Sequence, residues 1–320
     1  MSNQRVATYD LMKCVGIIAM IIGHLTSVGH RFIFSWHMPL FFILAGYFYR
    51  PNDVVEMVKK DFKRLIIPYL ITCGVIVFVS IFHSLLLGED KVSRWIIASL
   101  YANGSFRHTS KFFANVPMIG AIWFLWALFW CKTIFNSLFK KSQKYVLLMC
   151  LVLSVAAMFI DTYLVNLPLA ILPGMSATIF YGIGYQTRQA GGFKAVHKLV
   201  ALLCVVVWII SFIYSDMSLA RCFFRHYPIN IVGACGGTYV IWLISDWISK
   251  YENKFTSVLV WTGRNSMTIL CLHLLDLDIP IRGLLHIPHM MQIPFVIVIY
   301  LIGTYLLSKI PVTKKVFMIS

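Results

Sequence analysis

Two ionisable residues, Lys13 and His24, lie eleven residues apart in the first long apolar run of the chain. Eleven residues make about three turns of an α-helix, so both side chains occupy one face, about 16 Å apart along the axis. Asp10 lies one turn before Lys13 and can pair with it. A lysine near a helix end can also extend to the membrane surface. A histidine deeper in the run needs a polar partner or a wet cavity, which indicates a functional site.

Two further histidines are expected at the depth of His24. His37 lies near the start of the second apolar run, and His273 lies near the end of the ninth. Three histidines at one level can bind a metal. None of them has the i, i+3 or i, i+4 spacing of two ligands on one helix, and no intramembrane carboxylate or thiolate pair accompanies them. We therefore expect no metal site, and we interpret His37 and His273 as groups that orient His24 or its reaction partner.

A set of basic and small polar residues is expected at the opposite membrane face. Arg264, Asn265 and Ser266 lie just inside the cytoplasmic end of the ninth run, and Lys63 and Arg64 open the third. Guanidinium and ammonium groups bind phosphate well. The set therefore predicts an inward-facing mouth for a phosphorylated ligand. Anchoring of cytoplasmic loops by positive charge is the alternative, and it is the simpler explanation for Lys63.

The composition restricts the class of protein. Of 320 residues, 59% are hydrophobic and only 12% are charged, with a mean hydropathy of +0.80. Soluble domains carry roughly twice that charged fraction. The net charge of +16 lies mainly in short loops between apolar runs, which argues against nucleic-acid binding. The eight cysteines are scattered without a CxxC pair, so neither a disulfide framework nor a zinc site is expected.

Ten apolar runs predict an all-α integral membrane protein, a single polytopic domain over residues 1–320 without a separate soluble domain. The runs are 11–29, 32–49, 65–87, 117–139, 145–160, 166–186, 196–214, 227–248, 257–276 and 292–309. With the N-terminus inside, the inner segments carry 17 Lys and Arg and the outer segments carry 8. The positive-inside rule therefore places both termini in the cytoplasm. The longest loop, 88–116, contains a predicted interfacial helix around Ser93–Tyr101.

Five segments, taken in order, resemble signatures of the membrane-bound acyltransferase family 3, in the branch of fucose and surface-polysaccharide O-acetylases. They are Asp10–His24, Ser35–Tyr47, Lys63–Tyr69, Ile122–Leu125 and Gly263–His273. The resemblance implies a multi-pass enzyme of the bacterial cytoplasmic (inner) membrane with about ten helices. Such enzymes move an acyl group, usually acetyl from cytoplasmic acetyl-CoA, onto a surface or exported glycan or its lipid-linked form.

The resemblance also assigns roles to residues. Lys13 occupies the position of a basic residue that is arginine in many relatives, and His24 that of the first-span histidine. We hypothesise that Lys13, Lys63, Arg64 and Arg264 hold the phosphates of CoA. His24 is then either the general base for the acceptor hydroxyl or a transient acyl carrier.

Supporting roles fall to polar neighbours. Asp10 pairs with Lys13, His37 and His273 orient the reacting groups, and Asn265 or Ser266 contacts the developing oxyanion. No permanently bound cofactor is expected, and lipid is the surrounding partner.

A permease or flippase for a glycan or lipid-linked intermediate is the rival interpretation. It uses the same polar cavity without covalent chemistry. All twelve acidic residues fall in loops or within about two turns of a span end. Coupled transporters usually depend on a carboxylate near the bilayer centre, so the acyltransferase is favoured.

Overall fold

The fold is helical, with one short strand pair. A computed structural model describes residues 3–26, 29–88, 91–105, 116–276, 285, 287–288, 291–317 and 319. Within these residues, the strands are β1 (Met217–Ser218) and β2 (Phe223–Phe224), which pair antiparallel. The prediction of an all-α architecture is therefore confirmed apart from this small hairpin.

Within the described residues the chain forms sixteen α-helices. They are α1 (Asn3–Leu25), α2 (His30–Phe34), α3 (His37–Tyr47), α4 (Val54–Asp61), α5 (Ile67–Leu87), α6 (Val92–Tyr101), α7 (Trp123–Lys141), α8 (Val146–Tyr163), α9 (Ile171–Ser176), α10 (Thr178–Gln189), α11 (Lys198–Tyr214), α12 (Tyr227–Ile248), α13 (Lys254–Arg264), α14 (Ser266–Leu275), α15 (Gln292–Ser308) and α16 (Pro311–Phe317). A π-helical turn, Phe62–Ile66, joins α4 to α5. Each of the ten predicted apolar runs overlaps one helix or two consecutive helices.

Several helices have the length and composition to cross a membrane. Within the described residues these are Ala7–Leu25, Val54–Leu85, Val146–Tyr163 and Tyr227–Ile248. Two bent pairs bring the number to six if each pair is one span: α13 with α14, bent by 68°, and α15 with α16, bent by 114°. The count of ten spans and the position of the termini remain predictions.

Large apolar side chains cover the outside of the helix assembly. Phe78 on α5 is 71% exposed, Phe159 on α8 is 55% exposed and Leu202 on α11 is 59% exposed. A soluble protein rarely exposes so much continuous apolar surface, whereas lipid accommodates it. These outer faces are those of a membrane protein.

Helix α1 lies at the centre of the assembly, in contact with α2, α3, α12, α13, α14 and α15. Its closest neighbour is α13. A β-carbon on Gly263 would lie 1.7 Å from the carbonyl oxygen of Asp10, so only glycine permits this approach. The close contact sets Arg264, the next residue, beside Asp10.

The second predicted span is broken into α2 and α3. The break falls at Ser35 and Trp36, and Pro39 lies in the first turn of α3, where a missing N–H costs nothing. Gly46 then packs α3 against α10, since a β-carbon there would lie 1.9 Å from the carbonyl oxygen of Tyr181. The break and the tight contact fix His37 at the start of a short, buried helix.

Candidate active site

A cavity of about 670 Å³ extends along one face of α1. Lys13, Ile17, Met20 and His24 line it from α1, at the spacing of successive helical turns. Because these residues span about three turns, the cavity runs from the level of Lys13 past that of His24. The predicted shared face of Lys13 and His24 is the face that the cavity follows.

Other elements complete the wall. They contribute His30, Arg31 and Phe34 from α2, His37, Met38 and Phe41 from α3, Trp123, Phe124 and Leu128 from α7, Ser266, Met267 and Leu270 from α14, and residues 215–221 and Phe223 around the hairpin. The walls are mostly apolar, with a few polar groups at separate levels. This composition is typical of a small-molecule site.

His24 forms a hydrogen bond with His273 across the helix interface. His24 Nδ1 lies 2.8 Å from His273 Nε2, and His273 Nδ1 lies 3.1 Å from the hydroxyl of Tyr300. His273 is 1% exposed and Tyr300 is 5% exposed, whereas His24 is accessible from the cavity. The structure therefore brings together α1, α14 and α15 through His24, His273 and Tyr300.

This chain of hydrogen bonds can place the free lone pair of His24. If His24 Nδ1–H donates to His273 Nε2, the neutral His273 carries its proton on Nδ1 and donates to the Tyr300 oxygen. His24 Nε2 then carries a lone pair, and within the described residues it has no hydrogen-bond partner. An unprotonated nitrogen that reaches a cavity is what a general base or a nucleophile requires.

His37 is a second neutral histidine in the wall. Its Nδ1 lies 2.9 Å from the carbonyl oxygen of Ile33. A carbonyl only accepts, so Nδ1 carries the proton and Nε2 is left as an acceptor. The ring is 1% exposed, and Phe34 packs edge-on against it with centroids 4.7 Å apart. His37 is therefore held rigidly as a hydrogen-bond acceptor.

The lower end of the cavity, here called the Lys13 end, consists of Lys13, Arg264 and Ser266. Asp10 lies between the two cations: one carboxylate oxygen is 3.0 Å from Lys13 Nζ and the other is 2.9 Å from Arg264 Nε. The carboxylate side chain is only 7% exposed, whereas Arg264 is 48% exposed. Asp10 therefore orients both cations and offsets one of their two charges.

Lys63 and Arg64 do not line the cavity. Both are exposed, and the next residue, Leu65, takes a place in the cavity wall. The π turn over Phe62–Ile66 inserts an extra residue per turn and rotates the side chains that follow. Asp61, just before this turn, is buried and pairs with Lys132 Nζ at 2.5 Å. The proposed phosphate contacts of Lys63 and Arg64 receive no support from this placement.

Asn265 and Ser266 are not placed beside His24. Asn265 lies at the bend between α13 and α14, is 2% exposed, and donates through Nδ2 to the Trp261 carbonyl at 2.8 Å. Ser266 lines the cavity at the Lys13 end. About two helical turns, or roughly 10 Å, separate Ser266 from His273, which holds His24. Contact with an oxyanion formed at His24 stays a prediction for both residues.

Several residues of the site were not foreseen from the sequence. Tyr300 lies in a continuous apolar run, and its phenolic hydroxyl is the one feature by which the sequence could have singled it out. Arg31 lies in one predicted outer loop and Asp216 and Arg221 lie in another, and only the folded structure brings the two loops to one cavity. As for metals, the described part of the chain contains no group of three or more His, Cys, Asp or Glu arranged to hold an ion.

Comparisons with known proteins identify the family. The sequence profile of acyltransferase family 3, described as an acyltransferase domain, matches residues 6–309. Searches of curated proteins and of solved structures found no match. The match covers nearly the whole chain, including every residue that lines the cavity. The chain belongs to acyltransferase family 3, and it is a membrane acyltransferase.

Proposed function

We propose that this acyltransferase moves an acetyl or other short acyl group from cytoplasmic acetyl-CoA to a hydroxyl of a cell-surface or exported glycan, free or lipid-linked. The observation that carries the proposal is the hydrogen bond between His24 and His273, 2.8 Å long, within a cavity whose Lys13 end is cationic. A base at mid-cavity and cations at one end suit a phosphorylated acyl donor and a hydroxyl acceptor.

The donor binds at the Lys13 end in this proposal. Arg264 donates its Nε to Asp10, and its two terminal nitrogens have no partner within the described residues. Together with Lys13 they offer donors for the phosphates of CoA. The acyl arm then follows the apolar face of Ile17 and Met20 toward His24.

The chemical step takes place at His24 Nε2. As general base, Nε2 takes the proton of the acceptor hydroxyl while the hydroxyl oxygen attacks the thioester carbonyl. The carbon–sulfur bond breaks, and the imidazolium returns the proton to the CoA thiolate. As acyl carrier, Nε2 attacks the thioester carbonyl first, the carbon–sulfur bond breaks and CoA leaves as the thiolate. The acceptor oxygen then attacks the acylated ring, the bond from the acyl carbon to Nε2 breaks, and the hydroxyl proton passes to the CoA thiolate. Both routes use the same lone pair and form one ester and one thiol.

The proposal is tested in cells that naturally make the protein, with His24→Ala and His83→Ala introduced in the chromosome. His83 is a half-buried histidine on α5 outside the cavity, so it is a matched control. We expect base-labile acetate on surface glycans with wild type and His83→Ala, and its loss with His24→Ala at equal membrane levels. Equal acetate in all three strains would refute the role of His24. Glycan that fails to reach the surface in His24→Ala would favour the permease instead.

A further inference from the structure

The upper end of the cavity, here called the Arg221 end, consists of Arg31, Ser105, Asp216 and Arg221. Its single carboxylate is already engaged. Arg31 Nε lies 2.8 Å from one oxygen of Asp216, and Arg31 Nη2 lies 3.3 Å from the other. Arg225 Nη1 approaches Asp216 at 3.8 Å. One aspartate is therefore shared by two guanidinium groups.

Arg221 is a third guanidinium in this region and has no acidic partner among the described residues. Its Nε donates to the hydroxyl of Ser105 at 2.7 Å. A serine hydroxyl orients the arginine side chain but does not neutralise its positive charge. The terminal nitrogens of Arg221 have no partner in the described part of the chain. Three arginines thus accompany one aspartate, and the surplus positive charge lies in a cavity wall.

The surroundings of Arg221 suit a ring-shaped ligand with polar substituents better than a small free ion. Phe223 of β2, 46% exposed, lines the cavity, as do Trp123 and Asn230. Asn230 is held by the hydroxyls of Ser211 and Ser215 at 3.2 and 3.1 Å. Aromatic walls, a fixed amide and an oriented guanidinium are the elements of a pocket for a charged, hydroxyl-rich molecule.

We propose that the Arg221 end binds the anionic group of the acceptor, so that the acceptor is an acidic sugar unit. Arg221 pairs with its carboxylate or phosphate through a two-nitrogen fork, which a lysine cannot reproduce. The inference rests on the proposed function, since it assumes that a hydroxyl of the same sugar reaches His24. It adds the class of substrate: a glycan unit with a carboxylate or a phosphate.

The test measures binding rather than acyl transfer, so its result does not depend on the proposed reaction. Full-length protein in phosphatidylcholine nanodiscs is titrated with glucuronic acid, glucose 1-phosphate and glucose. The variants are Arg221→Gln, Arg221→Lys and the control Arg94→Gln, an exposed arginine outside the cavity. Thermal unfolding of each variant verifies that it is folded.

We expect at least one of the two anionic sugars to bind about tenfold or more tightly than glucose, as one charge-assisted pair implies. Arg221→Gln abolishes this preference, Arg221→Lys retains part of it, and Arg94→Gln leaves it unchanged. The identity of the better anion separates carboxylate from phosphate recognition. Equal binding of glucose and both anions, no binding of either anion, or an unaffected Arg221→Gln would overturn the proposal. The proposal would also be overturned if the three sugars bind equally well and their binding is lost in phosphatidylglycerol nanodiscs. The region would then be a lipid headgroup site.

Discussion

At the scale of single residues, the chemistry depends on which nitrogen of His24 carries the proton. His273 sets it when its own Nδ1–H donates to the oxygen of Tyr300, which lies on α15, a helix with no described residue in the cavity wall. The arrangement links two imidazole rings and a phenol. It resembles the use of a third group to hold a histidine in the reactive tautomer.

The Tyr300→Phe variant tests this orienting role. Loss of one neutral hydrogen bond corresponds to about 2- to 12-fold in rate. We therefore expect kcat to fall by that factor while KM for acetyl-CoA stays constant. Tyr305→Phe, on the same helix and 53% exposed, is the control and leaves both constants unchanged. A Tyr300→Phe enzyme with wild-type kcat would show that the His273 tautomer is set by other contacts.

The Lys13→Gln and Lys63→Gln variants separate the two predicted sets of phosphate-binding cations. Lys13 lines the cavity beside Asp10, whereas Lys63 is exposed outside it. Loss of one charge-assisted hydrogen bond weakens binding by about tenfold to 100-fold. We expect that loss in acetyl-CoA affinity, measured by equilibrium binding, for Lys13→Gln alone. If both substitutions weaken acetyl-CoA binding equally, Lys63 contributes to the donor site, contrary to this account.

At the scale of elements, the contact between α1 and α13 holds the Lys13 end together. Gly263 allows Arg264 Nε to reach Asp10 at 2.9 Å, and the bend at Asn265 directs α14 back to His24 through His273. The glycine thus positions Arg264 at the Lys13 end, and the bend positions His273 at the level of His24.

Gly263→Ala should disrupt this contact, since its β-carbon would meet the Asp10 backbone at 1.7 Å. Backbone cannot move aside as a side chain can, so we expect a lower unfolding temperature in detergent and weaker acetyl-CoA binding. Gly74→Ala on α5 is the matched control, because nothing lies within 4 Å of its added carbon. Alanine there is neutral or slightly stabilising. Identical unfolding temperatures for the two variants would contradict the account of this interface.

At the scale of the whole molecule, the cavity joins two chemically different ends. The Lys13 end is predicted to face the cytoplasm and the Arg221 end the outside. Cysteine substitutions at exposed Lys141 and at Ser218 in the hairpin test this orientation. An impermeant thiol reagent added to intact cells should label Ser218→Cys and leave Lys141→Cys unlabelled. The reverse pattern would invert the topology and place the donor outside.

Part of this site follows from the sequence, because helical periodicity alone places Lys13 and His24 on one face. The expectation that His273 accompanies His24 also follows, from the alternating direction of the spans. The sequence does not show the π turn that sets Lys63 and Arg64 outside the cavity. It also does not show that Arg31 contacts Asp216 or that Arg221 contacts Ser105, since both contacts depend on tertiary packing of segments distant in sequence.

The central claim is acyl transfer from the cytoplasmic side that depends on His24. The most direct measurement supplies radiolabelled acetyl-CoA to inside-out membrane vesicles from native cells that express wild type, His24→Ala or His83→Ala. We predict labelled glycan with wild type and His83→Ala. With His24→Ala, label incorporation should fall by about 100-fold or more, the usual contribution of a general base. Equal labelling by His24→Ala, or no labelling by wild type above vesicles from a deletion strain, would contradict the account.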